Sequence, residues 1–301
     1  MKYNITAHRK LWLTLSGVVV AISLAIVTIF GMNLGLDFLG GIRWTVQFDQ
    51  AIQTENLAGF FDTKSLEKKV QIQKADGNKF LVTMESMEDA KLDEIKLDMT
   101  EKLGTYEEIA FRRVDSSIGA HFKTQAGYAI LFALIGIIIF VAIAFRKVPK
   151  TVNPWRFGGV AIIALIHDIL IILAAFTLLG YFLDIELDLQ FITALLATLG
   201  FSVNDTIVIL DRVRENINTQ RASETFEDVI EKSIKQTLRR SINTSISTLL
   251  PLIGLLIFGS QSIFFFILAL TIGIVAGTYS SIFIAAPALV SWKNMVDKGG
   301  M

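Results

Sequence analysis

Three stretches of the sequence set charged or titratable side chains where an apolar chain has least use for them. Residues 201–216, FSVNDTIVILDRVREN, hold Asn204 and Asp205 inside a run of Ile, Val and Leu, and LIHDIL (165–170) sets His167 beside Asp168. A third stretch opens with Arg239 and Arg240, and Arg240, Thr244 and Thr248 share one helical stripe at i, i+4 and i+8. A charge at the centre of a bilayer costs about 2.5–3.5 kcal/mol on insertion scales. The chemistry that offsets such a cost is uptake and release of a proton or cation, or mutual pairing. At 1.5 Å per residue, Asp168 lies roughly 17 Å into its span and Asp205 about 9 Å from the end of its own. Arg240 sits near the same boundary, at a depth compatible with pairing to Asp205.

Plainer readings stand beside these. His167 and Asp168 also read as a satisfied polar pair between helices, and Arg240 as a side chain snorkelling to the interface. Asp211, Arg212, Arg214 and Glu215 read as a solvated helix end. Asp205, an acid well inside a span, defaults to a functional assignment.

The elements that must position these groups are membrane helices. The chain has 301 residues, is 52% hydrophobic with 22 Phe and only 4 Pro, and has a mean hydropathy of +0.55, too apolar for a soluble domain of this length. Zero net charge gives no bulk attraction to nucleic acid, and the absence of Cys excludes disulfides and thiolate chemistry. The three histidines, His8, His121 and His167, are too scattered to point to a metal cluster. No P-loop, nucleophile elbow or zinc-helix motif is present, so neither an enzyme nor a cofactor or metal is expected.

Six apolar stretches have about the length needed to cross 30 Å of hydrocarbon: Leu11–Phe30, Ala126–Phe145, Phe157–Leu179, Leu189–Leu210, Ile242–Phe258 and Ile263–Val290. The first is expected to be an uncleaved anchor. Lys2, Arg9 and Lys10 precede it, Arg146, Lys147, Lys150 and Arg156 join spans two and three, and YFLDIELD between spans three and four is acidic. Positive-inside counting therefore predicts that both termini and a 211–241 loop are cytoplasmic. Residues 1–36 are then a cytoplasmic terminus and first helix, 37–125 an extracytoplasmic domain, and 126–301 the remaining five helices.

In the outside domain Ile42, Trp44, Val46 and Phe48 alternate with polar residues as in a half-buried strand. A helix around Ser65–Gln73, a strand KFLVTME, a helix carrying Leu92, Ile95, Met99 and Leu103, and a strand over Glu108–Val114 follow. The fold class is thus an α-helical membrane protein of six transmembrane helices with a small α+β domain (βαβαβ, ferredoxin-like) between the first two. In the last span Ala269, Gly273 and Gly277, continued by Ser281, form a small-residue ridge suited to close helix packing, within the bundle or against a partner.

Five motifs carry a resemblance. GLDFLGG (35–41), LIHD (165–168), SVNDTIVILDRVREN (202–216), QTLRRSINTS (236–245) and GTYSSIFIA (277–285) resemble, in this order, motifs of the SecF branch of the SecD/SecF family, in the resistance-nodulation-division superfamily. The resemblance implies a subunit of the cytoplasmic membrane that assists late steps of protein export with the proton-motive force. Its implied partners are SecD, the SecYEG channel and the translocating preprotein. By motif position Asp205 matches the family's membrane acid, and RSINTS selects Arg240 as its fifth-span arginine; Asn204, Asp168 and His167 would flank the same path. Gly35, Asp37, Gly40 and Gly41 match the motif that closes the first span, read here as a hinge. Leu210 departs from the family, where an aromatic is common. An outside domain of about 90 residues and the chain length fit a stand-alone SecF rather than SecD or a fusion. Two alternatives stay open: a small-solute transporter of the same superfamily, and a scaffold in which Asp205 and Arg240 form a static pair.

Overall fold

Apolar runs bounded by capping residues give the helices their limits. The computed structural model describes residues 4–64, 66, 70–75, 77–146 and 154–299. Lys2, Lys147 and Lys150, three of the residues that set the expected orientation, lie outside these, as do Ser65 and residues 67–69. The described chain forms two compact units, Met1–Asn33 with Ala129–Met301, and Leu34–Tyr128.

Among the described residues six helices are long and apolar enough to cross a membrane, all of them within the first unit except that the helix Ser116–Ala144 begins in the second. They are α1 (Arg9–Phe30), α5 (Ser116–Ala144), α6 (Pro154–Leu183), α7 (Leu189–Asn218), α8 (Phe226–Phe258) and a sixth span begun by α9 (Gln261–Ser280). About half of α6 and of α7 is buried, so these two form the centre, while α1, α5 and α8 lie at the periphery. The Asp188 carboxylate caps α7 by accepting from the Phe191 N–H at 2.9 Å. Thr225 and Asp228 make a reciprocal capping box on α8.

Two expectations change. The 211–241 stretch is not a loop: α7 runs to Asn218 and α8 begins at Phe226. Val213 and Ile217 pack with Val229, Ile230 and Ile234, and Asn216 Nδ2 donates to Ser233 Oγ and Gln236 Oε1, so the helices pair beyond their apolar segments. The sixth span is not one α-helix either. It breaks at a π-turn, Ser281–Ala285, before α10 (Ala286–Gly299).

The second unit is a four-stranded antiparallel sheet in the order β2-β3-β1-β4, with α3 (Thr54–Asp62) and α4 (Asp89–Leu103). Strands β1 (Gly41–Phe48), β2 (Gln71–Lys74), β3 (Lys79–Met84) and β4 (Tyr106–Val114) give the β-α-β-β-α-β order of ferredoxin-like folds, one strand more than expected. The helix expected at Ser65–Gln73 lies earlier, where Leu57, Phe60 and Phe61 share a buried face. Gln71–Lys74 is instead a strand, with Ile72 paired to Val82. Ile42, Trp44, Val46 and Phe48 form the core with Phe80, Val82, Leu92, Ile95 and Met99.

A four-residue helix, α2 (Leu36–Leu39), leads into β1. Gly40 and Gly41 have φ of +70° and +135°, and a Cβ on Gly40 would meet the Ser116 backbone at 2.6 Å. Glycine is required here both by conformation and by close approach. Buried Asp37 in α2 accepts from Arg112 Nη2 at 2.8 Å.

Candidate functional site

The site is built where α6, α7 and α9 meet. α9 reaches α7 through its small residues: Ala269 is fully buried, a Cβ on Gly273 would lie 2.1 Å from Thr198 Cγ2, and one on Gly277 2.8 Å from Ser202 Cβ. The ridge therefore lies against α7. This approach brings the hydroxyls of Ser280 and Ser281 up to the two acids of the central helices.

Asp205 is 6% exposed and its Oδ2 accepts from Ser281 Oγ at 2.6 Å. Beside it in sequence, the Thr206 hydroxyl is buried without a partner. One helical turn away on α7, Ser202 Oγ donates to Asp168 Oδ2 at 2.5 Å. Ser280 Oγ donates to the same oxygen at 2.8 Å, and His167 Nδ1 lies 3.0 Å from Asp168 Oδ1. The His167 ring stacks on Tyr279 with centroids 5.8 Å apart, and the Tyr279 hydroxyl bonds Ser16 Oγ of α1 at 3.0 Å. Each α9 serine also has a backbone acceptor within reach: Gly277 O for Ser280 at 3.2 Å and Thr278 O for Ser281 at 3.1 Å.

The charge balance of this cluster is unusual. The third buried acid described in the helical unit, Glu231, stands 3.1 Å from Lys235 Nζ. Among the described residues neither Asp168 nor Asp205 is paired with Lys or Arg; hydroxyls and one imidazole are their partners. Nor do the described residues include a group of three or more His, Asp or Glu side chains placed to hold a metal ion. Carboxylates held by hydroxyls in a water-poor interior are suited to binding and releasing a proton.

His167, Asp168 and Asp205 thus come together, whereas Asn204 and Arg240 do not join them. Both are exposed on the surface of this unit, and Asp205 and Arg240 form no ion pair. The buried stripe of α8 is the neighbouring one, Ser241 and Ser245, with Ser245 Oγ 2.6 Å from Thr278 Oγ1. Sequence reasoning does not name the serines that hold the acids as their ligands: it places Ser281 on the packing ridge and takes the Ser and Thr hydroxyls of spans five and six together as support for a water file beside Asp205. The signal available was TYSSIF, where Thr278, Tyr279, Ser280 and Ser281 set four consecutive hydroxyls in a largely apolar span.

Comparison with known proteins places this arrangement in context. The model of the protein export membrane protein SecD/SecF C-terminal family matches residues 95–295, and the SecD/SecF GG motif matches residues 25–52. Protein translocase subunit SecF of Thermobaculum terrenum is 38% identical over 88% of this chain and 86% of its own length. The SecF of Thermodesulfovibrio yellowstonii is 34% identical over 99% and 98%. The crystal structure of SecDF, a translocon-associated membrane protein from Thermus thermophilus, superposes with a TM-score of 0.83 at 31% identity. That match covers 98% of this chain but only 39% of the SecDF chain.

Proposed function

The chain belongs to the SecD/SecF family of protein export membrane proteins, and from that premise we propose that it is a SecF-type auxiliary subunit of Sec protein export. It works with SecD and the SecYEG channel on translocating preprotein and draws on the proton-motive force through Asp205. The observation that carries this reading is Asp205 itself: buried within a membrane helix, without a cation partner, and held by one serine hydroxyl. Moving one charge across 100 mV releases about 2.3 kcal/mol, enough to bias a conformational equilibrium when repeated.

Partnership with SecD is supported by relatives in which both names are joined, such as the SecDF of Thermus thermophilus. It is also supported by the surface: exposed Asn204, Arg240, Asn243 and Thr244 on membrane-spanning helices suit polar contacts with partner helices better than lipid tails. In this reading both termini face the cytoplasm, residues 37–125 are extracytoplasmic, and Gly35, Asp37, Gly40 and Gly41 act as a hinge. The small-solute transporter has no observation in its favour. The static scaffold lacks the Asp205–Arg240 pair on which it was framed.

The test is Asp205→Asn, nearly isosteric and without the charge. In vesicles carrying SecYEG and SecD, the variant is expected to assemble normally and to lose the gradient-dependent component of export. Full gradient-dependent export by a correctly assembled variant would refute the assignment.

A further inference from the structure

We infer that Asp168 is a second proton-binding carboxylate, and that the Ser280–Ser281 pair at the head of the π-turn couples its occupancy to that of Asp205. This rests on the proton-driven reading of Asp205 above. Asp168 is the more deeply buried acid, 1% exposed, and two of its three partners are hydroxyls on different helices, α7 and α9. Its third partner, His167, is 2% exposed, and its Nε2 is buried without a hydrogen-bond partner among the described residues. Among the described residues the titratable group in contact with Asp168 is His167 on its own helix; Tyr279 of α9 stacks on that imidazole and bonds Ser16 of α1, and Asp205 lies three residues along α7 from Ser202, which donates to Asp168.

The coupling follows from what each serine hydroxyl can do. Facing an ionised carboxylate, its proton points at the carboxylate oxygen. When that carboxyl takes up a proton, the carboxyl O–H becomes the donor and the serine oxygen accepts. The serine proton then turns to the backbone, to Gly277 O for Ser280 and to Thr278 O for Ser281. One proton is gained, and only hydrogen bonds change.

Gly277 O already accepts the backbone N–H of Ser281, the bond that closes α9 before the π-turn. A Ser280 hydroxyl turned onto Gly277 O competes for that carbonyl and loosens the turn carrying Ser281, the residue that holds Asp205. Side-chain donors to carbonyls one turn back bend helices, and π-turns recur at functional sites for the same lack of fixed register. Through this pair of serines, proton occupancy at one acid is coupled to that at the other.

Infrared titration of the full chain in liposomes reads this directly. Among the carboxyl C=O bands that appear on acidification, one is expected to be lost in Asp168→Asn and a different one in Asp205→Asn. In Asp205→Asn the midpoint of the Asp168 band should move by about one pH unit or more, the signature of strong coupling. Ser280→Ala should abolish that shift when combined with Asp205→Asn. If Asp168→Asn fails to assemble, the Ser280→Ala comparison carries the same reading on the native acids. A spectrum in which no band depends on Asp168 overturns the inference, as does an Asp168 midpoint indifferent to Asp205→Asn or a shift that survives Ser280→Ala. The parent reading is judged separately: it fails if Asp205→Asn keeps gradient-dependent export, whatever the bands show, and it survives if export is lost while Asp168 never titrates.

Discussion

Asp205 and Ser281 form a two-residue unit whose energetics can be separated from its function. Ser281 is the donor found at Asp205 Oδ2, so Ser281→Ala leaves a buried acceptor without it. Such a loss costs about 1–3 kcal/mol. The expected result is a lower unfolding free energy in detergent for Ser281→Ala, with the deficit largely absent in an Asp205→Leu background. Equal deficits in both backgrounds would mean that Ser281 acts through packing alone, since the cycle isolates the pairwise term. The acids themselves were legible in the sequence, because a carboxylate among Ile, Val and Leu has few cheap explanations. The pairing of Arg240 with Asp205 that depth allows is not formed, for a physical reason. Counting residues gives depth along a helix, but one residue is about 100° of azimuth. A one-position difference moves the inward stripe from Arg240 to Ser241, and spacing alone cannot choose between them.

At the scale of elements, the α9 ridge decides whether the site exists. Gly273 and Gly277 let α9 approach α7 closely enough for Ser280 and Ser281 to reach two carboxylates on different helices. Even one methyl group is too much at Gly273, where a Cβ would sit 2.1 Å from Thr198 Cγ2 and 2.9 Å from Ile172 Cδ1. Overpacking of this kind typically costs about 1–3 kcal/mol. Gly273→Ala is therefore expected to lower the thermal stability of the chain purified without SecD. An unchanged melting temperature in isolation, with loss only of SecD co-purification, would contradict an intramolecular ridge. The small-residue spacing was visible in the sequence, but it left the partner helix open, because glycine lets any neighbour approach. The π-turn was invisible. SSIFIA has no Gly or Pro to mark a break and reads as continuous helix, whereas the π-turn found there packs against α6, α7 and α1. Strand β2 was missed because four mostly polar residues carry little alternation; its pairing to β3 makes it a strand.

At the scale of the molecule, the Leu34–Tyr128 unit has its own closed core, with Ile42, Trp44, Val46, Leu57, Phe80, Val82 and Met99 all fully buried within it. Nothing in that core depends on lipid, so a fragment spanning residues 34–120 is expected to fold in water, with a cooperative urea transition and native circular dichroism. A non-cooperative fragment would overturn this. The fragment also offers a pH test free of membrane effects. Lys64 Nζ donates to Asp98 Oδ2, and this bond holds the Asp98 carboxyl below its ordinary value of 3.8. A lowered carboxyl favours the folded state when ionised, so its contribution is present above the ordinary value and fades as pH falls through the folded-state value. The cross-link ties the segment after α3 to α4, and Lys64→Met removes it. The variant should therefore unfold at lower urea than the parent fragment at pH 7, and the gap between the two midpoints should shrink progressively below about pH 3.8. Both groups are solvent-accessible, so the gap should also narrow in 1 M salt, where screening acts over about 3 Å. A gap that persists undiminished at pH 2.5 would assign the loss to the contact of Lys64 Nζ with the Phe60 ring, 5.4 Å from its centroid, rather than to the bond with Asp98.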